Sequence, residues 1–178
     1  MLLRARSLSV FGLLIASIAI AVHSVAAVAA TEEQPIGSLI DTVPIFDAHM
    51  HYKQPAWQAY PPSTVFELME KAGVAIAIVS STPDDGTIRL LEFAPKRIVP
   101  ELRPYHGDAG SSNWTKAPGM ADYLRERLAK FPHLGIGEFH IHQIDPADEP
   151  LLREVAAMAK ARNIPVHVHS GAGPVKLL

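Results

Sequence analysis

Ile45-Phe46-Asp47-Ala48-His49-Met50-His51 is an apolar, strand-like run closed by a His-x-His pair. Two later runs repeat the habit, one with His140 and His142 and one with His167 and His169. Residues i and i+2 of a strand point to the same side about 6.6 Å apart, so each pair aims two imidazoles at one side of a sheet. Parity sets Asp47, His49 and His51 against Phe46, Ala48 and Met50, and Glu138, His140 and His142 against Gly137, Phe139 and Ile141. It likewise sets His167 and His169 against Val166 and Val168, and Glu101 and Arg103 against Leu102. Strands buried on both faces read as unbroken hydrophobic runs. Polar residues recurring at one parity therefore need a cause, and a shared metal ion is the best reason that these ligand types offer.

Outward from these runs, strand-like and helix-like segments alternate. Ile45 to His51 is the first strand, followed by a loop holding Trp57, Tyr60, Pro61 and Pro62. Thr64 with Glu67 forms a capping box, predicting a helix to about Lys71 that Gly73 stops. Val74 to Ser80 is the second strand, and Pro83-Asp84-Asp85 starts a helix carrying Leu90, Leu91 and Phe93. Ile98 to Tyr105 is the third strand, with Pro100 and Pro104 weakening its hydrogen bonding. A Gly/Ser-rich loop from Gly107 to Ala117 contains Trp114, and Met120 to Phe131 has helical spacing. Ile136 to His142 is the fourth strand; Asp148-Glu149-Pro150 opens a helix over Leu151 to Arg162, and Pro165 to His169 is the fifth strand. Strands alternating with helices predict βαβ units and a parallel sheet. No Gly-x-Gly-x-x-Gly or P-loop motif supports an open nucleotide-binding sheet. The fold class expected is α/β, a partial (β/α)₈ barrel of the TIM type with about five parallel strands. A complete barrel needs about 250 residues, so residues 45–178 read as a barrel domain truncated after its fifth strand.

The 178 residues are 48% hydrophobic and 19% charged, which is a globular balance. Arg4 and Arg6 precede an apolar segment from Leu8 to Val22, and small residues end at Val28-Ala29-Ala30 before Thr31-Glu32-Glu33. This is the layout of a secretory signal over residues 1–30, followed by a polar arm over 31–44. Export to the periplasm or medium is expected, with an uncleaved N-terminal membrane anchor as the alternative. Without the leader the balance is 14 Lys and Arg against 18 Asp and Glu, and no basic patch points to nucleic acid. The chain has no Cys, which excludes thiolate-ligated zinc.

The runs Phe46-Asp47-Ala48-His49-Met50-His51, Gly135-Ile136-Gly137-Glu138-Phe139 and Ile164-Pro165-Val166-His167-Val168-His169-Ser170-Gly171 resemble the amidohydrolase superfamily, especially its amidohydrolase-related metal-dependent hydrolases. The resemblance covers residues 45 to 171, with the motifs in order, and implies a metal-dependent TIM barrel. It further implies that His49 and His51 are the first-strand metal ligands, Glu138 the carboxylate ligand and His169 the fifth-strand ligand, with His167 the competing choice. Other branches bridge two metals through a carboxylated lysine on the fourth strand. Residues 135–142 contain no Lys, so a mononuclear or Glu138-bridged site is implied. The family's sixth-strand histidine and eighth-strand aspartate, the general base, would fall beyond Leu178.

Neutral imidazoles with a carboxylate suit Zn²⁺, with Mn²⁺ or Fe²⁺ as alternatives. Such an ion polarises a carbonyl and brings the pKa of water to about 7. Arg103 is a candidate for pairing with a substrate carboxylate, and His140, His142 and His167 are candidates for supporting or substrate-facing roles. His106 is divided between pocket and solvent, His133 reads as a loop histidine, and Glu101 with Arg103 as an interior ion pair. Trp57, Tyr60 and Trp114 are expected to overhang the mouth of the barrel. The expected activity is hydrolysis of an amide, ester or lactone of a small-molecule substrate. A decarboxylase of the same superfamily and a non-catalytic metal-binding module are the alternatives. Unpaired outer strands would favour self-association or a complementing C-terminal half.

Overall fold

The computed structural model describes residues 43–142, 149–171 and 173. The expected leader, most of the expected arm and the Asp148 helix start lie outside the described residues. Five strands, β1 (Ile45–Met50), β2 (Val74–Ser80), β3 (Ile98–Leu102), β4 (Gly135–Ile141) and β5 (Val166–Ser170), pair in chain order, and every pair is parallel. The sheet curls into a half-barrel, with helices α1 (Pro62–Lys71), α2 (Asp85–Phe93), α3 (Met120–Lys130) and α4 (Glu149–Arg162) between the strands. The α/β, TIM-type expectation holds. Among the described residues no helix is long and apolar enough to cross a membrane.

Several boundaries differ from the sequence reading. Helix α1 starts at Pro62 with Pro61 as its N-cap, not at the Thr64 capping box, and no side chain caps it. Proline at the first helical position has its φ preset and lacks an N–H that would be orphaned there. Gly73, at φ +71°, follows the helix and releases the chain into β2. Strand β1 stops before His51, and β3 stops at Leu102, short of Pro104, which has no N–H for a ladder.

The apolar core forms two clusters of buried side chains. One joins Tyr52, Phe66, Met69, Ala77, Val79, Leu90 and Ile98, from α1, α2, β2, β3 and the segment that follows β1. The other joins Leu102 and Tyr105 to Trp114, Leu124 and Leu128 of α3, Ile136, Phe139 and Ile141 of β4, and Leu152 and Val155 of α4. Trp114 is 1% exposed, lies 4.6 Å from the Phe139 ring and donates from Nε1 to the carbonyl of His140. It is a core residue and does not overhang the mouth. Trp57 donates to the carbonyl of Tyr52, and the exposed Tyr60 lines an apolar groove beside β1 and α1, so neither shapes the polar cleft described below.

His133 lies in the loop between α3 and β4, as read, and is buried there. Its Nε2 lies 3.0 Å from Asp84 Oδ1, and Asp84 Oδ2 accepts from Arg127 Nε at 2.8 Å. This trio ties the start of α2 to α3 and to the segment entering β4. A buried carboxylate needs such partners.

Strict alternation would put Ile136 on the side of Glu138, yet Ile136 shares a cluster with Phe139. The β4–β5 pairing is irregular between Ile136 and Phe139, which resets the parity of the strand. Gly137 sits in this irregularity at φ +141°, and a Cβ there would stand 2.2 Å from the carbonyl oxygen of His167. Gly137→Ala is expected to cost about 3 kcal/mol or more, the sum of a disfavoured backbone conformation and overpacking against main chain. A denaturant midpoint within error of wild type would contradict this.

Candidate metal centre

The ends of β1, β3, β4 and β5 converge on the inner face of the curl. Glu138 is the hub, its side chain 4% exposed. Oε2 lies 3.3 Å from His49 Nε2 and 3.2 Å from His51 Nε2, and the two imidazole nitrogens are 3.0 Å apart. These donors form a nearly equilateral triangle. In a tetrahedral shell with bonds of about 2.0–2.1 Å, neighbouring donors stand about 3.3 Å apart, so the residues fit a zinc-type ion.

Each corner of the triangle is held from behind. Asp47 Oδ1 accepts the backbone N–H of His49 at 2.9 Å, so Asp47 orients main chain and not the ion. His51 Nδ1 donates to the carbonyl of Ser80 at 2.6 Å, which leaves Nε2 with its lone pair facing the triangle. Burial holds His51 below the ordinary imidazole range, helped by Arg103 and His49. His51 is therefore neutral near pH 7, as a ligand must be.

Arg103 donates from Nε to the main-chain carbonyl of Glu138 at 3.0 Å and from Nη2 to Oε2 at 3.2 Å. Its expected partner Glu101 instead takes His167, whose Nδ1 is 2.8 Å from Glu101 Oε2. The interior pairs are thus Arg103–Glu138 and His167–Glu101. Gly135 makes the second one fit, because a Cβ there would stand 2.8 Å from Glu101 Oε1.

His169 Nδ1 donates to Glu138 Oε1 at 2.9 Å, on the oxygen away from the triangle. With His140 it forms a second candidate group, in which one donor atom each from Glu138, His140 and His169 lies within 4.8 Å of the others. The structure therefore divides the four ligands read from the sequence. His49, His51 and Glu138 stand together, while His169 shares Glu138 from the other side. His140 Nδ1 is bonded to the Tyr105 hydroxyl at 2.8 Å, and that same oxygen accepts the backbone N–H of His140. Only Nε2 of His140 is left to face a ligand. Burial lowers the pKa of His140. His142 lies beyond β4, exposed, its ring 5.3 Å from that of His140.

Burial pushes Glu138 up, but the His169 hydrogen bond with His49 and Arg103 outweighs it and holds the carboxyl below its usual range. The signs give a pH profile for the metal-free chain. His51 and His140 are depressed, so the unfolded chain takes up more protons once pH falls below the ordinary value of 6.5. Glu138 stabilises the fold above its ordinary 4.5 and loses that contribution as pH falls through its folded value. The thermal midpoint in chelator should fall from pH 7.5 to 5 and fall again below 4.5; a flat profile above pH 5 would contradict the assignment.

Ser80 and Tyr105 were missed by the sequence reading. Their partners come from other strands, and only the stagger of the sheet shows which atoms meet. No family model, curated protein or solved structure matches the chain.

Proposed function

We propose that this chain carries the metal centre of a metal-dependent hydrolase of the amidohydrolase type, acting on an amide, ester or lactone. The observation that carries this reading is the triangle of His49 Nε2, His51 Nε2 and Glu138 Oε2, with edges between 3.0 and 3.3 Å. These three residues would hold the divalent ion, zinc by donor type and spacing. When bound, the ion supplies Lewis acidity and lowers the pKa of water to about 7. The carbonyl of Ser80 fixes the tautomer of His51, Arg103 keeps Glu138 charged and in place, and His169 holds its second oxygen. Tyr105 holds His140 by Nδ1 and leaves Nε2 to orient a substrate carbonyl or hold a proton.

The test is zinc-dependent turnover by the full chain on a panel of ester, amide and lactone substrates. Activity should vanish on dialysis against a chelator and return with zinc. Zinc uptake without turnover across the panel would favour a non-catalytic metal-binding module.

A further inference from the structure

Beside the metal cluster lies a cleft of about 610 Å³, lined by Lys53, Gln54, Thr82, Arg103, Tyr105 and His140 among others. Arg103 and Tyr105 are buried and form its floor, whereas Lys53, Gln54 and Ser111 are exposed and form its rim. Arg103 donates to Glu138 and His140 shares a candidate ligand group with it, so the cleft borders the candidate centre through these two residues. The described lining residues include two fixed cations and no aspartate or glutamate. The two cations differ in standing. Arg103 is engaged with Glu138, but Lys53 has no carboxylate within ion-pair range among the described residues. Among the described residues the Lys53 charge on the rim thus has no carboxylate partner, and Gln54 and Ser111 line the same cleft as neutral hydrogen-bonding groups. Pro55, Pro83 and Ala109 add apolar surface to the lining.

We infer that the substrate is a small organic carboxylate, its acid group held at Lys53, its hydrocarbon part along the apolar lining and its reacting carbonyl over the floor formed by Arg103 and His140. A single cation without a carboxylate partner among the described residues, beside apolar lining, matches a monoanion with a carbon body. A phosphate dianion would call for more charge and little apolar surface. The inference rests on the metal-hydrolase reading for the position of the reacting group, but the acid subsite does not need the ion.

The experiment uses the full chain freed of metal by chelator, with benzoate and the neutral isostere benzamide as probes in calorimetry or saturation-transfer spectroscopy. Benzoate should bind more tightly than benzamide, weaken with added salt and lose about tenfold in Lys53→Gln, the scale of one charge-assisted hydrogen bond. Equal binding of the two probes, no binding of benzoate, or unchanged benzoate affinity in Lys53→Gln would overturn the proposal. Tighter binding of inorganic phosphate than of benzoate would overturn the carboxylate assignment. Zinc uptake is measured on the same preparations: uptake without discrimination between the probes sinks the acid subsite alone, and discrimination without uptake sinks the metal reading alone.

Discussion

Replacing both His49 and His51 by alanine should weaken zinc binding by more than about 10³-fold. Loss of a group that merely supports a ligand costs about 10- to 100-fold, and this double variant removes two of the three donors that stand within 3.3 Å of one another. Both side chains are at least partly exposed, so their truncation leaves the core untouched. Equilibrium dialysis against a zinc buffer, with circular dichroism as a check on folding, is the measurement. Unchanged zinc content would remove both residues from the centre. Glu138→Gln keeps the shape and removes the charge, and should cost about 10²-fold on the same assay by the same reasoning. Its fold should survive less well, because His169 and Arg103 both lose their anion.

Arg103→Met should destabilise the metal-free chain by about 3 kcal/mol or more. Both members of the Arg103–Glu138 pair are at most 5% exposed in their side chains, and removing one partner of a buried pair leaves an uncompensated charge. Arg103→Lys should recover only part of this. A lysine is a single point of charge and cannot serve the main-chain carbonyl and the carboxylate of Glu138 together, as the planar guanidinium does. Arg103→Met combined with Glu138→Leu should be less destabilised than the sum of the two single variants, because no charge is stranded. Urea midpoints for the set decide the matter. An Arg103→Met midpoint equal to wild type would mean that the histidines alone neutralise Glu138.

The strands and their inner face were legible because alternation in a strand is rigid. On β4 alternation sets Glu138 and His140 on one side, and both stand in one candidate ligand group. On β1 the pairing is irregular between Ile45 and Phe46 and between Asp47 and Met50, and Phe46 is 53% exposed, so parity alone does not order that strand. Legibility ended where the backbone left that rule. The irregular pairing at Gly137 moved Ile136 into the core, and Pro61-Pro62 overrode a capping box that was correct in composition. Pairings across the sheet were least visible. Arg103 could be assigned to Glu101 by proximity in sequence, yet its partner is Glu138 on the neighbouring strand, and Glu101 takes His167 from the strand after that. Asp84 and His133 are 49 positions apart, and nothing local to either marks them as a pair.

The two apolar clusters have a mechanical consequence for the centre. His49 and His51 hang from the portion of the molecule packed around Phe66 and Leu90, whereas Glu138 hangs from the portion packed around Trp114 and Leu124. An ion gripped by all three would act as a clasp across a seam. Amide exchange should slow on both banks of that seam when zinc is added, and not merely in the loops that touch it.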